Sequence, residues 1–222
     1  MKTYLVTGAA GFIGSNFVKY LLKKYGEDIQ IIIVDALTYA GNLASIKDEI
    51  ELDNVSFVKS DIGDYETIKS VFTNNDIDYV VNFAAESHVD RSITNPKLFL
   101  ETNIIGTQNM LQCAREAWYV GKNEMGSPVY KDGVKYLQIS TDEVYGSLEK
   151  DFEEEQPLHV ADDVKKVIEG RDNLKTFGKK FFTEETPLSP RSPYSASKTS
   201  ADMLVVAYHE TYGLPISITR CS

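Results

Sequence analysis

The sequence predicts a doubly wound α/β domain built on a parallel sheet, and three observations carry that prediction. Short runs rich in β-branched and aromatic residues alternate with longer stretches of helical period along the chain. The short runs are mostly apolar on both faces, as strands covered by helices above and below must be. The first of them leads directly into a glycine-rich loop that opens a helix.

Taken in order, strands are expected at 4–6, 29–34, 55–58, 79–83, 136–139 and 216–219. Between them, helical periodicity places helices at 13–25, 65–73, 96–118 and 194–212. Two stretches break the rhythm. Residues 119–133 contain Gly121, Gly126, Pro128 and Gly133 and read as a loop between a long helix and the fifth strand. Residues 147–192 are acidic first (Glu153, Glu154, Glu155, Asp162, Asp163) and then basic (Lys175, Lys179, Lys180). Weak helical periodicity over 160–174 makes this a surface insertion with partial helix, a lid, or a disordered segment. The chain stops at Ser222, straight after the sixth predicted strand. The expected organisation is one α/β domain over 1–222 with an insertion at 147–192, a fragment or truncation that ends on its sixth strand.

Composition narrows the functional class. The chain has 222 residues, 42% hydrophobic and 25% charged, which is ordinary for a globular domain. A formal net charge of −10 argues against nucleic-acid binding, which needs a clustered basic surface. Cys113 and Cys221 lack metal-ligand spacing, so neither a disulfide framework nor a metal site is expected. There is no basic segment followed by a long apolar run at the start, and no apolar stretch of the ~20 residues a membrane helix needs. The expectation is a cytoplasmic protein.

The first chemical motif is Gly8-Ala9-Ala10-Gly11-Phe12-Ile13-Gly14. Glycines there allow a tight turn and let backbone approach a pyrophosphate seated on the helix N-terminus. Asp35 ends the second strand about 20 residues on, where a carboxylate accepts hydrogen bonds from ribose hydroxyls. A carboxylate there repels a 2′-phosphate and no arginine follows in Ala36-Leu37-Thr38-Tyr39, so NAD is favoured over NADP. The second motif is Tyr194-Ser195-Ala196-Ser197-Lys198, which puts a phenol and an ammonium four apart on one helix face. Lys198 is expected to depress the Tyr194 pKa, as is an oxidised nicotinamide ring, giving a phenolate base near neutral pH. The third is Ser140-Thr141-Asp142-Glu143-Val144-Tyr145-Gly146, after the fifth strand, at the sheet edge where ligands bind in open α/β folds. Adjacent carboxylates there suit a reaction that needs one acid and one base.

The GxxGxxG spacing with the YxxxK pair resembles the extended short-chain dehydrogenase/reductase family, whose nucleotide-binding half is of the Rossmann type. Thr141-Asp142-Glu143 narrows the resemblance to its dTDP-glucose 4,6-dehydratase branch. The segments Asp35 to Asn42, Asn82 to Ser92, Thr102 to Thr107, Phe182 to Pro187 and Tyr212 to Pro215 strengthen it. The resemblance covers nearly the whole chain apart from the middle of the insertion.

It implies a mechanism. Tyr194 takes the proton of the sugar C4 hydroxyl as hydride passes from C4 to NAD⁺. Glu143 abstracts the C5 proton, Asp142 protonates the departing C6 hydroxyl, and hydride returns to C6 to leave a 4-keto-6-deoxy sugar. Thr141 bonds the C4 oxygen, and Lys198 holds the nicotinamide ribose. The cofactor set it implies is Gly8, Gly11, Phe12, Ile13, Gly14, Asp35, Ala36, Leu37, Thr38, Asp61, Ile62, Ala84, Ala85, Thr102, Tyr194 and Lys198, with Ser87 and Thr141 on the sugar side. It further implies a homodimer through the long helices, and a downstream domain that grips the nucleotide of the substrate. Against the family pattern, the stretch between Tyr145 and Tyr194 is longer than usual. The alternatives are an epimerase or decarboxylase on another nucleotide sugar, or a silent NAD-binding module. His88 is read as site-lining, His159 and His209 as ordinary surface or partly buried histidines, Cys113 as a core residue, and Trp118 and Tyr119 as packing or, as the resemblance allows, a subunit contact.

Overall fold

A computed structural model describes residues 1–147 and 182–221, so most of the 147–192 insertion, with His159, lies outside the described residues. Among the described residues, six parallel strands form one sheet in the order β3-β2-β1-β4-β7-β8. They are β1 (Lys2–Thr7), β2 (Ile29–Asp35), β3 (Val55–Lys59), β4 (Tyr79–Asn82), β7 (Lys135–Thr141) and β8 (Ile216–Cys221). Each overlaps one of the six runs read from the sequence. The order reverses between β1 and β4, which opens a crevice at the carboxyl ends of the strands.

The alternation of side chains explains why helices sit on both faces. Leu5, Ile32, Val34 and Val80 point to one core together with Met110, Leu111, Trp118 and Val205. Val6, Ile31, Ile33 and Val55 point to a second core with Val18 and Leu21. The helices are α1 (Phe12–Tyr25), α2 (Tyr65–Asn74), α3 (Val89–Thr94), α4 (Pro96–Phe99), α5 (Thr107–Trp118) and α6 (Pro193–Tyr212). Cys113 is buried in the first core, and the Trp118 indole donates to the Ile77 carbonyl at 2.7 Å, so both are packing residues. His209 lies on the exposed side of α6, and its Nδ1 is 2.9 Å from the Leu214 carbonyl. No helix among the described residues is long and apolar enough to cross a membrane.

Three details depart from the sequence reading. The 119–133 loop contains a hairpin, β5 (Tyr119–Lys122) with β6 (Pro128–Tyr130). Its glycines and proline mark the turn and a two-stranded edge rather than an absence of structure: Gly126 has φ +80, and Asn123 accepts from the Met125 and Ser127 amides. The 96–118 helix is not uniform, because Leu100–Gly106 is wound as a π-helix between α4 and α5. Finally, α3 falls inside a segment with no helix expected.

The polar ends of the strands are tied across the sheet. Thr7 donates to the Asn82 side chain at 2.5 Å, and Asn82 donates to Gln138 at 3.0 Å. Thr7 also receives the Ala84 amide at 3.2 Å. This ladder spans β1, β4 and β7 and fixes the loop that follows β4.

Candidate active site

The crevice is lined first by the glycine loop. Gly8 sits at φ +64, and a Cβ built on it would lie 2.7 Å from the Ala84 backbone nitrogen. Only glycine fits where the two loops meet. Helix α1 begins with Gly11 as N-cap, with no side-chain cap and no acidic residue in its first turn, while Lys23 and Lys24 lie in its last. Its first amides therefore face the crevice without a protein partner, at the positive end of the helix dipole. The cradle and the free donors fit a pyrophosphate.

Asp35 is 7% exposed at the end of β2. One carboxylate oxygen accepts the Ala10 amide and the other the Leu37 amide, both at 2.8 Å. The carboxylate thus fixes the glycine loop and the following loop, and Asp35 lines the crevice between them. Leu37 differs from its expected role. It is held at φ +54, a strained conformation for leucine costing on the order of 1 kcal/mol, and contributes its amide to Asp35 instead of lining the crevice. Gly8, Gly11, Phe12, Ile13, Gly14, Asp35, Ala36, Thr38, Asp61, Ile62, Ala84, Ala85, Ser87, Thr102, Tyr194 and Lys198 all line it. His88 does not; it stands exposed at the N-cap of α3.

Helix α6 brings the second motif to the same crevice. Ser192 and Ser195 form a reciprocal capping box, Pro193 occupies the first turn, and Gly213 closes the helix at φ +70. Tyr194, Lys198, Ala201, Asp202 and Val205 make its buried face. The Lys198 ammonium donates to the Ile139 carbonyl at 2.7 Å, and burial pulls its pKa from 10.5 to about 8 against the opposing pull of Asp202.

That placement corrects the expectation about Tyr194. Its phenol is held above its ordinary pKa, first by burial, then by the Glu143 carboxylate, with the Thr141 hydroxyl pulling the other way. The Lys198 ammonium is turned to the end of β7, where it donates to the Ile139 carbonyl. Among the groups beside the phenol, the Thr141 hydroxyl is the one that lowers it.

Thr141 ends β7, and Asp142–Tyr145 form a single 3₁₀ turn whose Glu143 amide donates to the Thr141 hydroxyl. Asp142 is half-buried and Glu143 exposed at the crevice mouth. Burial, then the Asp142 charge, raises the Glu143 pKa. The three are not part of the crevice lining itself; they stand at its rim, close enough to shift the Tyr194 phenol.

Sequence reasoning missed several supporting groups. Asn103, in the π-helix, accepts the Glu86 amide and donates to the Glu86 carbonyl and the Ser197 hydroxyl, all within 2.9 Å. It ties the loop after β4 to α6 beside Lys198. Glu86 lines the crevice with a carboxyl raised mainly by burial and only partly offset by Arg91 at 3.6 Å. No local spacing announces such links, since their partners are far apart in sequence.

A sequence model of the GDP-mannose 4,6-dehydratase family matches residues 5–161 and 175–222. The chain belongs to that family. Among curated relatives, dTDP-glucose 4,6-dehydratase of Xanthomonas campestris pv. campestris strain B100 is 43% identical over 223 residues, covering 100% of this chain and 53% of the relative. The crystal structure of dTDP-glucose 4,6-dehydratase from Bacillus anthracis in complex with NAD aligns with a TM-score of 0.73 at 41% identity, over 100% of this chain and 55% of that one. The corresponding Streptomyces venezuelae enzyme, solved with NAD bound, gives 0.74 at 39%, over 99% and 55%. The chain spans about half the length of the family members it matches.

The buried ammonium makes one prediction. Between pH about 8 and 10 the unfolded chain keeps the Lys198 proton that the folded chain has lost, so this group makes stability rise with pH across that window. Lys198→Met is expected to flatten the rise, read as the difference between wild-type and variant unfolding free energies in urea at successive pH values. Parallel curves would show that the ammonium titrates normally.

Proposed function

We propose that this chain carries the NAD site and the reacting groups of a nucleotide-sugar 4,6-dehydratase that converts dTDP-glucose to dTDP-4-keto-6-deoxyglucose. The observation that supports it most strongly is the carboxylate pair Asp142–Glu143 at the rim of a dinucleotide crevice that also holds Tyr194 and Lys198. C4 epimerisation has no use for a C5 base and a C6 acid. The names of the related enzymes favour the same substrate.

NAD bound in the crevice supplies the hydride acceptor for C4 and the hydride donor for C6. The glycine loop and the first amides of α1 take its pyrophosphate, Asp35 its adenine ribose, and Asp61 with Ile62 its adenine. Lys198 bonds the nicotinamide ribose. Tyr194 takes the C4 hydroxyl proton while Thr141 donates a hydrogen bond to the same oxygen. The resulting ketone acidifies C5, Glu143 removes that proton, and Asp142 protonates the C6 hydroxyl, which leaves as water; once C6 is reduced, a proton returned to C5, exchangeable with solvent through Glu143, completes the 4-keto-6-deoxy sugar. Ser87 contacts the sugar.

Residues 1–222 form the nucleotide-binding domain in this reading, and the nucleotide of the substrate is gripped by sequence the relatives carry beyond the matched half. The protein works in the cytoplasm as a homodimer. Leu100, Ile105, Met203 and Val206, between 37% and 52% exposed on the π-helix and α6, supply an apolar face for the second copy.

The test is turnover by the full-length protein. Incubation with dTDP-glucose is expected to yield a 4-keto sugar, detected by its absorbance in alkali. No product, with UDP-galactose turned over instead, would replace this reading by an epimerase.

A further inference from the structure

One cation near the site is used by none of the steps above. Arg220 is the next-to-last residue of β8, and the sheet register sets it opposite Ser140, one residue before Thr141. Its Nε donates to Asp202 Oδ2 at 2.9 Å, and one terminal nitrogen donates to the Tyr145 hydroxyl at 2.8 Å. Its guanidinium carbon is 5.1 Å from the centroid of the Tyr145 ring. Phe182 also stacks on the Tyr145 ring, with centroids 5.1 Å apart.

We propose that Arg220 is a positioning residue that holds the turn carrying Asp142 and Glu143 in register with helix α6, which carries Tyr194 and Lys198. The inference rests on the dehydratase reading for what the register achieves, but the clamp itself is a matter of geometry.

Three features make the clamp necessary. The turn is a single 3₁₀ turn, too short to hold its own direction. The Glu143 amide donates to the Thr141 hydroxyl, that hydroxyl reaches Asp142 at 3.3 Å, and the Gly146 amide donates to the Glu143 carbonyl. From outside, the Ser189 amide donates to the Val144 carbonyl, so the Tyr145 end is left to the guanidinium. Val144 and Tyr145 are its only buried side chains, so Tyr145, at the C-terminal end, sets the orientation of the exposed Glu143. At the other end of the bridge, Asp202 is 0% exposed and lies one helical turn after Lys198. A fully buried carboxylate needs a cation, and the planar guanidinium can serve it and the phenol at once. A lysine ammonium could reach one partner but not hold both in a fixed plane.

The design separates half-reactions. C4 oxidation uses groups on α6 and β7, whereas elimination uses the turn. Loosening the turn therefore slows elimination selectively. Removing Arg220 outright strands the Asp202 charge and risks unfolding, so the informative variants are Tyr145→Phe, which deletes one oxygen, and Arg220→Lys, which keeps a cation.

The experiment uses the full-length protein with dTDP-glucose and has two readouts. In Tyr145→Phe and in Arg220→Lys, kcat is expected to fall about tenfold or more with KM and NAD affinity little changed, as fits loss of one hydrogen bond to a charged group. Reduced nicotinamide should accumulate during turnover, and the double variant should lose no more than either single one. Independently of activity, amide hydrogen exchange at residues 143–146 should quicken in both variants while the α6 amides stay protected. Additive losses, equal slowing of both half-reactions, or wild-type exchange in the turn would each overturn the clamp. A wild-type enzyme inert toward dTDP-glucose, with turn exchange quickened in the variants, would sink the dehydratase reading and leave the clamp standing.

Discussion

Glu143→Gln in the full-length protein is expected to stop dehydration while sparing C4 oxidation, so that reduced nicotinamide builds up when substrate is added. Glutamine has nearly the shape of glutamate but no basic oxygen at neutral pH. Removal of a positioned general base costs typically 10²–10⁴-fold, and the loss should fall wholly on the C5 step. Glu143 is suited to that step because burial and the Asp142 charge raise its proton affinity while it remains exposed at the crevice mouth. Neither the glycine loop nor Asp35 touches it, so NAD affinity should stay at the wild-type value. Titration of NAD into the variant checks this directly; a lost cofactor site would mean that Glu143 acts on binding and not on the sugar.

The second large effect is expected from Gly8→Ala. The new Cβ meets backbone atoms of Phe83 and Ala84 between 2.7 and 2.9 Å, and neither can swing away as a side chain would. The φ of +64 adds strain of roughly 1–2 kcal/mol. Relief requires the glycine loop to move off the end of β4, carrying with it the amides that face the pyrophosphate. Losing two charge-assisted hydrogen bonds of about 1.5–3 kcal/mol each corresponds to on the order of 100-fold or more in NAD affinity. Gly26→Ala is the matched control. Gly26 has a similar φ of +56 with nothing within 4 Å of its Cβ position, far from the crevice. It should lower stability modestly and leave NAD binding alone. Equal affinities for the two variants would mean that the glycine loop does not contact the cofactor.

Much of this was legible in the chain because the relevant physics is local. Strands buried on both faces must be apolar throughout, so the six runs stood out. The glycine loop and Asp35 are separated by one helix and one strand of ordinary length, which fixes their meeting at one sheet edge. Tyr194 and Lys198 share a helix face through a spacing of four. What escaped was tertiary. Asn103 meets Glu86 and Ser197 only after the helix carrying it packs, and the Arg220 bridge joins three elements distant in sequence. The partner of the Lys198 ammonium is not legible for the same reason, since spacing on a helix gives the face but not the group that the sheet offers, here the Ile139 carbonyl. The hairpin at 119–130 was hidden because glycine and proline mark its turn and edge as readily as they mark a loop.

In the proposed dehydratase, one crevice moves hydride from C4 to C6 of a single sugar while the rim carboxylates remove water between. It is tested most directly by following deuterium from dTDP-[4-²H]glucose through the full-length protein. The label is expected at C6 of the 4-keto-6-deoxy product, with a solvent hydrogen at C5 and none of the label in free nicotinamide. Label lost to solvent, or retained at C4 of an inverted sugar, would contradict it.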